Sequence, residues 1–120
     1  MKIAVTAKGK ELDSELDPRF GRAQYVLIID SAGGVVEEVI DNATNRNAFQ
    51  GAGIQAAKML ADRGVELLLT GFCGPNAFKT LEAAGIRVAA EQSGSVRDAV
   101  TRFEKNELRF AESPNAEAHW

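Results

Sequence analysis

The sequence predicts an α/β fold: one domain on a five-stranded mixed sheet, with one antiparallel strand and helices flanking the sheet. Three observations predict it. In the later part of the chain, short apolar runs alternate with segments of helical periodicity, which requires parallel strands joined by crossover helices. Apolar runs at residues 25–29 and 35–40 are separated by Asp30-Ser31-Ala32-Gly33-Gly34, the chemistry of a hairpin turn, so one strand must run antiparallel. At 120 residues and 45% hydrophobic, the chain has the size of one domain, which buries roughly two-thirds of its unfolded surface in a single core.

The elements follow in the order β β β α β α β α. Residues 3–6 are apolar and β-branched, the first strand. Residues 8–24 form a polar connection long enough to suggest a functional loop. After the hairpin of residues 25–40 comes a second polar loop, 41–50, rich in asparagine. Residues 51–63 read as the first helix, with Ile54, Ala57 and Ala61 on one face and Gly64 at the position after the C-cap. The consecutive leucines of residues 66–70 suit a strand covered on both faces. Pro75 opens a helix that runs to about Ala84, and Gly85 closes it. Residues 86–89 are the fifth strand. Ser95 and Asp98 form a variant capping box before a helix with Val96, Ala99, Val100 and Phe103 on one face. The single α/β domain is expected over residues 1–110 and a polar tail over 111–120, with the first strand central in the sheet.

Composition excludes several classes. A net charge of −3 argues against a nucleic-acid partner. No stretch approaches the ~20 apolar residues of a membrane span, and the opening residues lack the apolar run of a signal peptide. The single cysteine, Cys73, forbids an internal disulfide and fits a reducing cytoplasm. It also forbids a four-thiolate cluster within one chain, so a bound cluster needs other ligands, a partner chain or non-covalent contacts. The only histidine, His119, lies in the tail, so neither a Cys-His nor a Ser-His-Asp site is expected in a cleft. The first strand carries no carboxylate, against a two-metal nuclease.

Ligands of open α/β sheets gather beyond the carboxyl ends of the parallel strands, where three segments should converge. The Gly71-Phe72-Cys73-Gly74-Pro75-Asn76 turn lets the backbone approach a ligand and leads into a helix start that favours anions. Cys73 beside that start is either a favoured thiolate, and so a metal ligand, or a small packed residue. Gly51-Ala52-Gly53-Ile54-Gln55-Ala56-Ala57 matches a dinucleotide fingerprint only superficially, because it does not follow the first strand directly. Its glycines instead permit tight packing of a helix start that faces the same crevice. Asp17-Pro18-Arg19-Phe20-Gly21-Arg22, with Lys8 and Lys10, offers cations to an anion, while Phe20 either shields a sulfide face or anchors the loop. Asn42, Asn45 and Asn47 add hydrogen-bonding capacity or serve turns.

Four motifs in this order, residues 17–22, Asp41-Asn42-Ala43, residues 51–57 and Thr70-Gly71-x-x-Gly74-Pro75-Asn76-Ala77 followed by Ala84-Gly85-Ile86, resemble the dinitrogenase iron–molybdenum cofactor biosynthesis family over about residues 1–105. The resemblance implies a ribonuclease-H-like topology without nuclease activity. It implies binding or carriage, without catalysis, of an iron–molybdenum cofactor or its precursor. Stand-alone members resemble the orange proteins, which hold a molybdenum–copper sulfide cluster non-covalently. Partners implied are the anionic cluster and a cofactor assembly or regulatory protein, with the chain a monomer or weak homodimer. The cofactor-binding candidates are Arg19, Phe20, Gly21, Arg22, Asn42, Gly51, Gly53, Gly71, Phe72, Cys73, Gly74 and Asn76, with Cys73 the candidate metal ligand. Two other readings compete: a regulatory or scaffold module that binds a protein through a sheet edge, and a thiol enzyme using Cys73.

Overall fold

The computed structural model describes residues 1–43, 47 and 51–116. Asn45 and His119 lie outside the described residues, as does most of the asparagine-rich loop. The elements are β1 (Lys2–Ala7), β2 (Tyr25–Asp30), β3 (Val35–Asp41), α1 (Ala52–Asp62), β4 (Leu67–Leu69), α2 (Pro75–Ala83), β5 (Arg87–Ala89) and α3 (Val96–Glu104). The strands form one sheet in the order β3-β2-β1-β4-β5. β1 is central: it pairs antiparallel with β2 and parallel with β4, while β2 pairs antiparallel with β3 and β4 parallel with β5. β2 is therefore the one strand opposed to the rest, in the expected ribonuclease-H-like topology.

The period-two pleat of the strands divides the core into two layers. Ala4, Val26, Ile28, Ile40, Leu68 and Val88 face α1 and α2, where Ala56, Ala57, Leu60, Ala77, Phe78 and Leu81 meet them. Ile3, Val5, Leu27, Ile29, Leu67, Leu69 and Ala89 face Val96, Ala99 and Val100 of α3 on the opposite side. The three leucines of β4 are all fully buried because helices cover both faces there.

Element ends retreat from their sequence-based bounds for identifiable reasons. Gly51 has φ 79° and stands outside α1 as its N-cap. β4 shrinks to three residues, but hydrogen bonds from Glu66 N–H to the Lys2 carbonyl and from Thr70 N–H to that of Ala89 continue its pairing at both ends. Gly64 and Gly85 have φ of +71° and +75°, the left-handed geometry that ends a helix. Ser95 and Asp98 form a complete capping box on α3.

The long 8–24 connection has two halves. The first doubles back on itself through Lys8 N–H to Glu15 O (2.9 Å) and packs on the start of α3, whose Val96 and Arg97 N–H groups donate to Ser14 and Leu12 carbonyls. The second half, from Leu16, runs along the carboxyl ends of β1 and β4. Among the described residues no helix is long and apolar enough to cross a membrane.

Candidate functional site

The second half of that loop is stitched to the sheet where β1 and β4 end. Thr6 and Thr70, both buried, sit side by side at these ends with their hydroxyls 2.8 Å apart. The Thr6 hydroxyl donates to the Asp17 carbonyl at 2.6 Å, so its proton is spent there and Thr70 is the donor between the two threonines. Asp17 N–H returns a bond to Thr6 O. Beyond Thr70, the chain pairs with the loop through Phe72 N–H to Pro18 O (2.6 Å) and Phe20 N–H to Phe72 O (3.1 Å). Gly71 is required at this crossing: a Cβ there would stand 2.7 Å from the Pro18 Cα and carbonyl oxygen.

The loop next meets α1. Gly21 has φ +91°, and a Cβ on it would lie 2.8 Å from both Cα and N of Gly53. Two glycines facing one another thus let the loop backbone touch the first turn of the helix. Buried Asn42, just after β3, holds the outer side: its Nδ2 donates to the carbonyls of Gly21 and Ala23, both at 3.0 Å. Arg19, Gly53 and Gly71, distant in sequence, therefore share one rim.

Two helices begin at this rim, and neither is capped by a side chain. α1 starts from Gly51 and α2 from Gly74; neither has a side-chain cap bond or an acidic residue in its first turn. α3, which starts beside the other half of the loop, has both. The first-turn N–H groups of α1 and α2, including those of Asn76 and Ala77, have no partner within their helix by construction and carry its partial positive charge. Arg19 adds a cation with 43% of its side chain exposed, 3.6 Å from the buried Asp17 carboxylate. Asp17 also accepts the Arg19 and Gln24 N–H groups, which fixes the turn that presents the arginine. Phe72 contributes an aromatic surface that is 40% exposed. Arg22, half-buried, completes the loop.

Other candidates take different positions. Phe20 is fully buried in the core layer with α1 and α2, so it anchors the loop and cannot shield a ligand. Lys8 pairs with Glu15 at 3.3 Å and Lys10 lies over the Tyr25 ring, 5.6 Å from its centroid, so each of these cations has a partner of its own. Asn47 bonds the Ala43 carbonyl, a local turn. Cys73 is 1% exposed, and burial pushes its thiol up to about 12. Of the two readings of Cys73, burial favours the small packed residue, because desolvation outweighs the nearby helix start. Among the described residues, no group of three or more His, Cys, Asp or Glu side chains is placed to hold a metal ion.

One contributor carried no signal in the sequence. Asn115, within the stretch read as polar tail, accepts the Cys73 N–H on Oδ1 at 2.8 Å and donates from Nδ2 to Gly71 O at 2.9 Å. Its own N–H donates to Cys73 O at 3.0 Å.

The apo form of the orange protein from Desulfovibrio gigas superimposes with a TM-score of 0.92 at 45% identity, covering 96% of each chain. An NMR structure of a Thermotoga protein of the DUF35 family superimposes with a TM-score of 0.82 at 36% identity, covering 97% of each. An uncharacterized protein of Methanocaldococcus jannaschii is 29% identical over 110 residues, 90% of this chain and 89% of that one. The dinitrogenase iron-molybdenum cofactor family matches residues 1–106. The chain therefore belongs to the dinitrogenase iron-molybdenum cofactor family.

Proposed function

We propose that this protein binds and carries an anionic metal–sulfur cluster or its precursor, of the molybdenum–copper sulfide or iron–molybdenum cofactor type, without transforming it. The observation that carries this reading is the meeting of two uncapped helix starts with Arg19 and Phe72 on one rim. Each helix start contributes typically ~0.3–1 kcal/mol toward an anion, and charge-assisted N–H bonds add to it. Sulfide-rich anions are soft and weakly hydrated, which suits backbone N–H groups, a guanidinium and an aromatic face together. Membership of a cofactor family and likeness to the orange protein support the same reading.

The donor set fits a cluster held by hydrogen bonds and charge rather than by thiolates. The burial of Cys73 and its raised thiol pKa weigh against it as a ligand, although copper(I) would accept its thiolate if the thiol were uncovered. The same burial weighs against a thiol enzyme, since the reactive species is the thiolate.

Titration of the protein with tetrathiomolybdate, with and without copper, tests the reading. The expected result is a visible absorption spectrum distinct from protein-free controls, with amide shifts confined to residues 17–22, 51–54 and 71–77. Arg19→Gln is expected to weaken loading about three- to tenfold and to reduce its salt dependence, as loss of one half-exposed cation implies. Spectra identical to the controls, with unmoved amides, overturn the reading.

A further inference from the structure

Beyond α3 the chain turns back along the outer side of the sheet. Arg87 of the edge strand β5 stacks on Phe110, 4.2 Å from the ring centroid, and Ala111 N–H donates to the β5 carbonyl of Val88 at 2.7 Å. Between these contacts and α2 lies a groove of ≈ 320 Å³, lined by Phe78, Glu82, Val88 and Phe110 among others, so the segment spans the surface and does not fill it. It is pinned again at its far end. There Asn115 makes three hydrogen bonds to the 71–74 turn, two of them from its side chain. The Gly71 carbonyl is held twice, by Asn115 Nδ2 and by the N–H of Glu91 at 2.8 Å. Glu91 itself has φ 59°, a left-handed geometry unusual for a residue with a side chain.

We propose that residues 107–116 form a strap and that Asn115 is a positioning residue for the cluster site: by clamping Gly71 and Cys73 it sets the turn that aims the α2 start at the rim, and it keeps the Cys73 thiol covered. The proposal rests on the cluster-carrier reading and deepens it. Two consequences distinguish a clamp from a passive tail. Asn115 Oδ1 occupies the Cys73 N–H and Pro18 O that of Phe72, so neither donor is offered to a ligand in the strapped state. The donors left to the turn's ligand are those at the α2 start, whose direction depends on the clamped backbone. Releasing the strap would also uncover the one thiol in the chain, so strap and loading state are coupled in both directions.

The test compares wild type, Asn115→Ala and Ala111→Pro. The last removes the N–H that ties the strap to β5 without touching the turn. Two measurements are made on each protein. One is the rate at which a neutral thiol reagent labels Cys73 in the apo-protein. The other is loading with tetrathiomolybdate and copper, read from the affinity and the position of the visible absorption band. Both variants are expected to label at least about tenfold faster than wild type. Asn115→Ala, which removes two side-chain bonds to the turn, is expected to load about tenfold more weakly with a displaced band, a factor that corresponds to about 1.4 kcal/mol. Unchanged labelling in both variants, or wild-type affinity and band position in Asn115→Ala, overturns the proposal. Wild-type protein that never loads overturns the carrier reading and this proposal with it. That outcome is distinguished from failure of the strap alone by the absent wild-type band.

Discussion

Replacing Gly21 by alanine perturbs the contact that joins the 17–22 loop to α1, and its cost can be separated into two parts. The first is backbone conformation: Gly21 has φ +91°, where a Cβ costs roughly 1–2 kcal/mol. The second is crowding: the new Cβ would lie 2.8 Å from Gly53 Cα and N, and 3.1 Å from the Ala52 carbonyl carbon. None of these is the free end of a flexible side chain, so the helix start or the loop must shift, at a cost of about 1–3 kcal/mol. Together they predict a destabilisation of about 2–5 kcal/mol, or a fall in Tm of roughly 8–20 °C for a domain of this size. Gly64→Ala supplies the control. Gly64 has φ +71°, and a methyl group there would meet nothing within 4 Å, so it carries only the backbone part, about 1 kcal/mol. Urea unfolding of both variants, followed by circular dichroism, measures the difference. If Gly21→Ala and Gly64→Ala fall within about 0.5 kcal/mol of each other, the Gly21–Gly53 contact does not hold the rim together.

Other perturbations probe neighbouring contacts. Asn42→Ala removes both side-chain bonds to the Gly21 and Ala23 carbonyls inside a buried site and is expected to cost about 2–4 kcal/mol in urea unfolding; a cost under ~1 kcal/mol would mean that water replaces the amide there. Folding favours the protonated Cys73 thiol, raised from 9.0 to about 12, so this contribution is complete below pH 9 and is lost as pH rises toward 12. Cys73→Ala should therefore show a flatter stability profile than wild type above pH 9, and parallel profiles would refute the burial argument. Ser95→Ala, which removes the α3 cap, should cost about 1 kcal/mol while leaving cluster loading unchanged, because the cap belongs to the helix on the other face of the sheet; weakened loading would contradict that separation.

Local chemistry made much of the architecture legible. The hairpin chemistry of residues 30–34, the three leucines of β4, Pro75 at a helix start and glycines after two helices each act within a few residues of themselves, and the elements they specify are present. The sharing of one rim by three connections was also legible, because crossover topology brings the ends of parallel strands together. Side-chain fates within the rim were less so. Phe20 and Phe72 are both loop aromatics, yet one is sealed in the core and the other half-exposed, a difference set by how the 17–22 loop pairs with the 71–74 turn.

By itself the sequence determined the order and kind of elements, the single antiparallel strand and the family, because these depend on patterns that repeat along the chain. Tertiary structure alone decided the burial of Cys73, the partners that Lys8 and Lys10 take, and the attachment of Asn115 to a turn more than forty residues earlier. Burial, charge pairing and long-range hydrogen bonds depend on which surfaces meet in three dimensions, and no local pattern around residue 73 or 115 records that meeting.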